Sequence, residues 1–414
     1  MIIDYDKIQE ILQTLSRNKS RSFLTAFGIF WGIFMLVFLM GGGEGLKRMM
    51  ARNFDGFAQN SCFVMANTTG KAYKGFRQGR TWSLTDRDVD LLRHRVPHVA
   101  TVTPMLAQWG KEMKYRDRTH SGTLKGVRPD YVGIEAPHIT EGRFINDGDL
   151  RDYRKVCVIG KRVYEDLFPG VKNPCGLFLC VDNVYYQVIG VSKMSSSLGV
   201  MGNAEESIII PATTMQRIYN TGDRVEAIGI TTDKGTTVTE IIPQVEHVLR
   251  TSHTLAPDDT QALFTFNMEA MFQMVDNLFR GIEILVWLIG VGTLLSGAIG
   301  VSNIMMVTVR ERTAEIGIRR AIGARPAGIL GQIMAESIVL TILAGLSGIT
   351  LAVLLLEGMQ ASTVGSEVGE INFQVSFWMA LGAAAVVALL GCLAGLAPGF
   401  RALAIKPIEA IRDE

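Results

Sequence analysis

Four long apolar runs, nearly free of charge, interrupt an otherwise mixed polar and apolar chain. They occupy residues 22–42, 282–307, 333–356 and 375–397. A helix of about 20 residues, rising about 1.5 Å per residue, crosses the roughly 30 Å hydrocarbon core of a bilayer. The second and third runs each carry a single acid near one end, Glu283 and Glu336. The pattern therefore predicts four transmembrane helices.

Shorter periodic patterns fill the rest of the chain. Residues 1–21 place apolar side chains at helical spacing among lysines and arginines, which predicts an amphipathic helix at the cytoplasmic membrane surface. Between the first two runs, residues 43–281 mix strand-like and helical segments and predict a large α+β domain. The strand-like runs are Cys62–Met65, Val99–Pro104, Lys155–Ile159, Tyr185–Val191, Ser207–Ile210, Ala227–Thr231 and Leu263–Phe266, and the helical segments are Thr85–Arg95 and Thr237–Arg250. We expect two lobes, one from about 55–108 plus 224–270 and one from 109–223.

The distribution of lysine and arginine predicts how the four helices are oriented. Basic residues near the ends of membrane helices concentrate on the cytoplasmic side. One side holds Lys7, Arg17, Lys19, Arg21, Arg310, Arg312, Arg319, Arg320, Arg325, Arg401, Lys406 and Arg412, and the other holds Lys47, Arg48, Arg52 and Arg280. Both termini should therefore be cytoplasmic, and the 43–281 domain and the short 357–374 loop should lie outside.

Overall composition excludes several classes of protein. A net charge of +1 gives no support for a nucleic-acid binder, and 48% hydrophobic residues exclude a disordered chain. Four of the five cysteines, Cys62, Cys157, Cys175 and Cys180, fall in the external segment, where disulfides can form. Spacing leaves their pairing open, and unpaired buried thiols are an equal alternative.

Candidate chemistry within the chain is sparse. Lys71, Lys111 and Lys161 each follow a glycine, but none completes the phosphate-binding pattern G-x-x-x-x-G-K-[ST]. His94 and His98 have a metal-binding spacing, but Pro97 intervenes and no third ligand is nearby. We therefore expect no catalytic residues, no metal site and no bound cofactor in this chain.

The segment 308–332, between the second and third runs, has the features of a helix across the cytoplasmic mouth. A short helix is predicted near Glu315–Ile322, with Gly323 just past its end and Pro326 in the first turn of the next helix. Its isoleucines and arginines offer apolar and basic contact groups. An ordinary positively charged loop is the alternative on charge alone.

Small residues recur at a spacing of four inside the runs. Gly28 and Gly32 form one such pair, and Gly391 and Gly395 form another. Such pairs let two membrane helices approach closely. They predict either a seam between two copies of the chain or tight packing within one copy.

Several of these motifs together resemble the MacB/FtsX family of ABC-transporter permeases, the type VII group. The stretch Asn303–Val307, followed by Glu311-Arg312-Thr313, by Glu315–Arg319 and by Ala321–Arg325, is similar to the family's NIM-x-V…ERT-x-EIGIR-x-A-x-GA pattern. The closing residues Pro407–Arg412 resemble its P-x-EALR segment, with isoleucine where leucine is usual. In the external segment, Thr85-x-x-Asp88, Glu141–Phe144, Val188–Val191 and Ile210-Pro211 look like its periplasmic core pattern.

The resemblance implies a multi-pass protein of the bacterial inner membrane, with porter-like and sabre-like lobes in its periplasmic domain. It implies two copies, or one copy with a related permease, above an ABC ATPase dimer that binds ATP and magnesium. The MacB protein carries its ATPase fused at the N-terminus, so here the ATPase is expected as a separate chain. Whether a periplasmic adaptor and an outer-membrane exit duct take part is left open.

By the same resemblance, the segment 315–323 corresponds to a coupling helix that docks on the ATPase. The residues expected to form or support that contact are Arg310, Glu311, Arg312, Glu315, Ile316, Gly317, Ile318, Arg319, Arg320 and Gly323. Ile316 and Ile318 are expected to pack in the ATPase groove. The implied function is mechanotransmission for export, or efflux, of a periplasmic substrate. A lipoprotein-releasing permease, a cell-division-type regulator of wall hydrolases and, in another class, a membrane-anchored sensor or external enzyme remain alternatives.

Overall fold

The computed structural model describes residues 19–52, 56–193, 199–363, 373 and 377–405. Its contacts divide the chain into two compact units, one made of residues 1–49 with 278–414 and the other of residues 50–277. Most of the predicted N-terminal helix and the closing Pro407–Arg412 motif lie outside the described residues. The helices are α1 (Lys19–Arg52), α2 (Asp86–Arg95), α3 (Asp147–Arg151), α4 (Lys161–Leu167), α5 (Ala212–Ile218), α6 (Val238–Ser252), α7 (Met268–Glu311), α8 (Thr313–Ala321), α9 (Pro326–Thr363) and α10 (Phe377–Leu403).

The first unit contains four helices that are long and apolar enough to cross a membrane, within the residues described. These are α1, α7, α9 and α10. The first three each contain one predicted run, and α10 contains the fourth from residue 377 onward, because residues 375 and 376 lie outside the described ranges. The helices extend beyond those runs, most of all α7, whose 44 residues begin well before Ile282. Apolar side chains from all four helices form one buried cluster, with Ile33, Val301 and Ala352 among its fully or almost fully enclosed members.

The second unit is an α+β domain built on one large sheet. Its strands are β1 (Ser61–Ala66), β2 (Leu84–Thr85), β3 (Val99–Tyr115), β4 (Arg118–Val127), β5 (His138–Gly142), β6 (Val156–Gly160), β7 (Phe178–Val181), β8 (Val184–Lys193), β9 (Ser207–Pro211), β10 (Arg224–Val225), β11 (Ala227–Thr232) and β12 (Leu263–Asn267). The sheet runs in the order β12-β1-β11-β3-β4-β9-β6-β8-β5, with β7 bridging β3 and β8. Strands β2 and β10 form a separate pair.

Strand alternation supplies both faces of this sheet with a core. In β1, Cys62 and Val64 face one apolar cluster while Phe63 faces the other. Helices α2 and α6 cover the first face with buried residues such as Val89, Leu92 and Val245. The pairing is mixed, because β4 runs parallel to β9 and antiparallel to β3.

All seven predicted strands and both predicted helices of the domain are confirmed, with end positions shifted by a few residues. The exception in length is β3, which continues to Tyr115 and therefore joins the two regions predicted as separate lobes. Strand β4 was missed because polar residues interrupt its pattern, and one of them, Lys125, is buried. Burial lowers the pKa of the Lys125 ammonium, while the nearby Glu135 opposes that shift. The division into two lobes stays a prediction.

The cysteines are all unpaired in the structure. Cys62 and Cys157 are buried, whereas Cys175, Cys180 and Cys392 are partly exposed. Burial raises the pKa of the Cys62 thiol to about 12, with a smaller contribution from Glu269. Cys62 is therefore a protonated, apolar member of the core and a poor nucleophile.

Candidate functional site

The segment between α7 and α9 forms a short helix whose two ends are set by local sequence. Helix α7 ends at Glu311, and α8 begins at Thr313 after the single intervening residue Arg312. At the other end, Gly323 has a φ of +99°, a left-handed conformation that glycine adopts without strain. Its N–H donates to Arg320 O at 3.1 Å, and the next N–H, from Ala324, donates to Arg319 O at 3.0 Å. The predicted helix, its C-terminal glycine and the start of α9 at Pro326 are all confirmed.

One face of α8 is built into the helix bundle. Ile316 is only 8% exposed and belongs to the apolar cluster of the membrane helices, and Gly317 beside it is also buried. Ile318 is two residues further on, about 200° around the helix, so it points away from the bundle. The structure therefore places Ile316 against the bundle and Ile318 on the exposed side. The expectation that both pack in an ATPase groove stays a prediction.

An ion pair ties the start of α8 to α9. Arg312 Nη1 lies 3.2 Å from Glu336 Oε1, and the Glu336 side chain is only 5% exposed. The carboxylate sits one helical turn inside the apolar stretch of α9, where an unpaired charge would be costly. Sequence reasoning noted Glu336 as an acid in an apolar run but assigned it no partner. The arginines near the end of the preceding helix could have indicated a partner for Glu336, because charges buried in membranes are usually paired.

Two further arginines fasten α8 along its length. Arg319 donates to Gln332 Oε1 on α9 at 3.0 Å and to Glu315 Oε1 within α8 at 2.6 Å. Arg320 donates to the carbonyl oxygen of Leu403 at 2.8 Å and to that of Ile405 at 2.5 Å, at the C-terminal end of α10. A guanidinium at this position satisfies carbonyls that the helix itself leaves unpaired.

The opposite face of α8 is exposed, and we call it the outer face. It consists of Ala314, Ile318, Ala321 and Ile322, flanked by the exposed Arg310, Glu311 and Arg325. Ile318 is 49% exposed and Ile322 is 82% exposed. Within the described residues the short helix thus combines a face clamped to α9 and α10 with an apolar face that the chain leaves uncovered.

The paired glycines lie at contacts between helices of the same chain. A Cβ on Gly28 would stand 3.4 Å from Gly297 Cα, and one on Gly32 would stand 3.1 Å from Leu294 Cδ2, both on α7. In the same way Gly391 and Gly395 of α10 face Ile338 and Ser337 of α9, at 3.2 and 3.1 Å. This geometry matches the alternative of tight packing within one copy.

In the external domain, the Glu141–Phe144 motif holds a buried carboxylate. Arg143 donates to both oxygens of Asp149, at 2.6 and 3.0 Å, and Asp149 is fully buried. Burial alone would raise the pKa of Asp149, but the hydrogen bonds from Arg143 and from the Asn146 backbone lower it below its usual value. The arrangement fixes the start of α3 and is structural.

No cluster of three or more metal-binding side chains occurs within the described ranges. The residues predicted to couple to an ATPase lie together at the end of the bundle where α7, α8 and α9 meet. Helix α8 is joined by backbone to α7, by Arg312 and Arg319 to α9, and by Arg320 to α10.

Comparison with known proteins identifies the type of molecule. Residues 22–248 match the MacB-like periplasmic core domain, and residues 287–407 match the FtsX-like permease C-terminal domain. The chain is 29% identical over 409 residues to the macrolide export ATP-binding/permease protein MacB of Vibrio parahaemolyticus, covering 98% of this chain and 60% of that protein. It is 30% identical over 412 residues to the pyoverdine export ATP-binding/permease protein PvdT of Pseudomonas syringae pv. tomato, covering 99% and 60%.

The chain thus spans about 60% of the length of the curated relatives that it matches. Among solved structures, the periplasmic region of MacB from Actinobacillus actinomycetemcomitans matches with a TM-score of 0.43 and 18% identity, covering 54% of this chain and 96% of that one. With four membrane-spanning helices and the core domain inserted between the first and the second, the chain belongs to the MacB/FtsX family of ABC-transporter permeases.

Proposed function

We propose that this chain is the permease subunit of a MacB-like exporter, driven by a separate ABC ATPase dimer that docks on the outer face of α8. The observation that carries the proposal is the two-faced geometry of α8. Ile316 is enclosed by the chain's own bundle, whereas Ile318 and Ile322 stand exposed at the end of the molecule where the basic residues cluster. Exposed apolar residues rimmed by charges are typical of a protein contact.

No phosphate-binding pattern occurs within these 414 residues, so the ATPase of this proposal lies outside them. In this proposal ATP and magnesium bind to that partner, and this chain contributes no catalytic group. The excess of basic residues near α8 supports a cytoplasmic location for α8 and both termini, in the bacterial inner membrane, with the core domain in the periplasm.

Helix connectivity supports the route of transmission. A single helix, α7, runs without interruption from Met268, directly after strand β12 of the domain, to Glu311 beside α8. A movement imposed on α8 would be passed on to α7 through the backbone, and to α9 and α10 through the three arginines. We propose that ATP hydrolysis changes the arrangement of the core domain in this way and so drives export of a periplasmic substrate.

The proposal also includes the other proteins of the exporter. A second permease copy, identical or related, would bring two α8 helices to an ATPase dimer. A periplasmic adaptor and an outer-membrane exit duct would complete an export path. The relatives' names concern a macrolide and pyoverdine, and an exported small molecule is the substrate class we propose here.

Binding and ATPase assays on the outer face test the proposal. The full chain, purified gently from membranes, should retain an ABC ATPase subunit, and Ile318→Ala with Ile322→Ala should weaken that retention by more than tenfold, as expected for central apolar contacts. The matched control is Phe400→Ala on α10, which removes a side chain that is 61% exposed near the same end of the bundle but outside α8.

An ATPase that stays bound and stimulated in the double variant, or that is lost equally with Phe400→Ala, would show that α8 is not the docking helix. If a wall hydrolase or a lipoprotein copurifies with the chain, the chain would instead be a hydrolase-regulating or a lipoprotein-releasing permease of the same family.

A further inference from the structure

Helices α1 and α7 form a seam that closes tightly in the bilayer and opens toward the core-domain side. Three levels of the seam lie in contact, at Gly28 with Gly297, Gly32 with Leu294, and Leu36 with Gly290. In each pair the residue number on α7 falls as that on α1 rises, as expected for antiparallel helices. Continued toward the core domain, the same register places residue 43 beside residue 283.

At that level the two helices are separated by a cavity of about 130 Å³, which we call the seam cavity. Residues of both helices line it: Leu39, Met40, Gly43, Glu44 and Lys47 of α1, and Phe279, Arg280, Ile282, Glu283 and Val286 of α7. All ten residues belong to the membrane unit. The space between the helices is open at Gly43, because a Cβ there would meet no atom within 4 Å. At Gly32 and Gly290, by contrast, a leucine side chain of the other helix fills the space.

The lining of the seam cavity is divided into an apolar floor and a charged rim. Phe279 and Val286 are each 7% exposed and belong to the floor. The rim carries two basic residues, Lys47 and Arg280, and two acidic ones, Glu44 and Glu283. Glu44 accepts a hydrogen bond from Arg48 Nε at 3.2 Å within α1. An apolar floor beside a charged rim suits the boundary between hydrocarbon and water. An amphiphilic ligand can there place its apolar part on the floor and its polar group at the rim.

We propose that the seam cavity binds the headgroup of a zwitterionic phospholipid whose amine is a primary ammonium. Arginine and lysine pair with phosphate oxygens, and carboxylates accept hydrogen bonds from an ammonium group. Because Glu44 is paired with Arg48, Arg280 and Glu283 are the residues we assign to a headgroup that carries one charge of each sign. A phosphate without an ammonium would leave Glu283 facing an anion, and a trimethylated ammonium has no N–H to donate to it.

The floor indicates a lipid rather than a free phosphate compound. A free headgroup would leave the partly exposed Leu39 and the exposed Ile282 uncovered, whereas an acyl chain covers them and continues along the apolar surface of α7. Ile282, at the edge of the cavity, is 36% exposed and lies on that surface. The site is distinct from the outer face of α8, which is at the opposite end of α7.

Native mass spectrometry of the full chain tests the site. The protein is presented with an equal mixture of dioleoyl phosphatidylethanolamine, phosphatidylcholine and phosphatidylglycerol, and retained lipid is counted. We expect phosphatidylethanolamine to be retained about fivefold over each of the others, the range of a favourable ion pair at a partly exposed site. Because no ATPase is present, the result is independent of the proposed export function.

Two charge-neutralising variants and one control separate the headgroup contacts. Glu283→Gln should reduce retention of phosphatidylethanolamine to the level of phosphatidylcholine, and Arg280→Gln should lower retention of all three lipids. The control is Glu357→Gln, which neutralises an exposed acid at the core-domain end of α9, outside the cavity. Each variant must elute as the same monodisperse species as the unaltered protein.

Equal retention of phosphatidylethanolamine and phosphatidylcholine by the unaltered chain would overturn the proposal. So would a preference for phosphatidylglycerol, which would indicate a general basic surface. An unchanged preference in Glu283→Gln, or an equal loss in Glu357→Gln, would show that the lipid binds elsewhere.

Discussion

The ion pair between Arg312 and Glu336 predicts that substituting its two residues will cost different amounts of stability. The Glu336 side chain is 5% exposed and that of Arg312 is 28% exposed. Two unit charges 3.2 Å apart attract by about 5 kcal/mol at an effective dielectric constant of about 20. Much of that attraction is offset by the cost of removing both charges from water.

Removing Arg312 should destabilise the protein more than removing Glu336, because the Glu336 side chain is the more deeply buried of the two. Arg312→Ala leaves a carboxylate enclosed in α9 without its cation, and we expect a loss of about 3–5 kcal/mol in the free energy of unfolding. Glu336→Ala leaves a guanidinium that can turn toward water, so the loss should be smaller, about 1–3 kcal/mol. The double variant has no orphaned charge and should be more stable than Arg312→Ala alone.

The measurement is a double-mutant cycle on the purified full chain in mixed micelles. Unfolding by sodium dodecyl sulfate is followed by far-ultraviolet circular dichroism, which reports mainly on the four long helices. The expected coupling energy is about 2 kcal/mol. If the two single losses simply add in the double variant, or if Glu336→Ala proves the more damaging change, the buried ion pair does not hold α8 to α9.

Three further predictions concern other contacts. Gly395→Leu should push α10 away from Ser337 and cost about 1–3 kcal/mol, whereas Gly382→Leu, which has no atom within 4 Å of its Cβ position, should cost less than about 0.5 kcal/mol in the same micelle titration. Arg320→Ala should leave the last carbonyls of α10 unpaired and speed amide hydrogen exchange in its final turn by about tenfold, measured by mass spectrometry. Arg143→Ala should make the core domain more sensitive to acid, with its near-ultraviolet circular dichroism lost at a pH about one unit higher.

The sign of the acid prediction follows from Asp149. Its pKa is lower in the folded domain than in the unfolded chain, so its contribution to stability is complete above the unfolded value, about 3.9, and is lost as the pH falls through the folded value. Without Arg143, less opposes the effect of burial and the folded pKa of Asp149 rises, although the Asn146 backbone and Arg154 still lower it. If the acid transition of Arg143→Ala occurs at the same pH as in the unaltered chain, the explanation through Asp149 is wrong. Equal losses of stability in Gly382→Leu and Gly395→Leu would contradict close packing at Gly395. Unchanged amide exchange in Arg320→Ala would show that Arg320 does not protect the last turn of α10.

Sequence alone determined the parts of this protein that depend on local chemistry and on the bilayer. The four membrane helices followed from apolar length, because a bilayer tolerates little else in its core. The ends of α8 followed from Gly323 and Pro326, since left-handed backbone and a missing N–H act within one turn. Seven strands of the domain followed from alternation, and the family from motifs in the 303–325 stretch.

Which side chains meet across long separations in the chain became clear from the packing of the folded protein. Arg312 and Arg320 resembled equivalent surface cations in the sequence, yet one reaches Glu336 and the other the carbonyls of Leu403 and Ile405. Ile316 and Ile318 looked interchangeable until the bundle enclosed one of them. The reason is physical: propensity and periodicity act over a few residues, whereas the partner of a buried charge and the covered face of a helix are chosen by packing between distant segments.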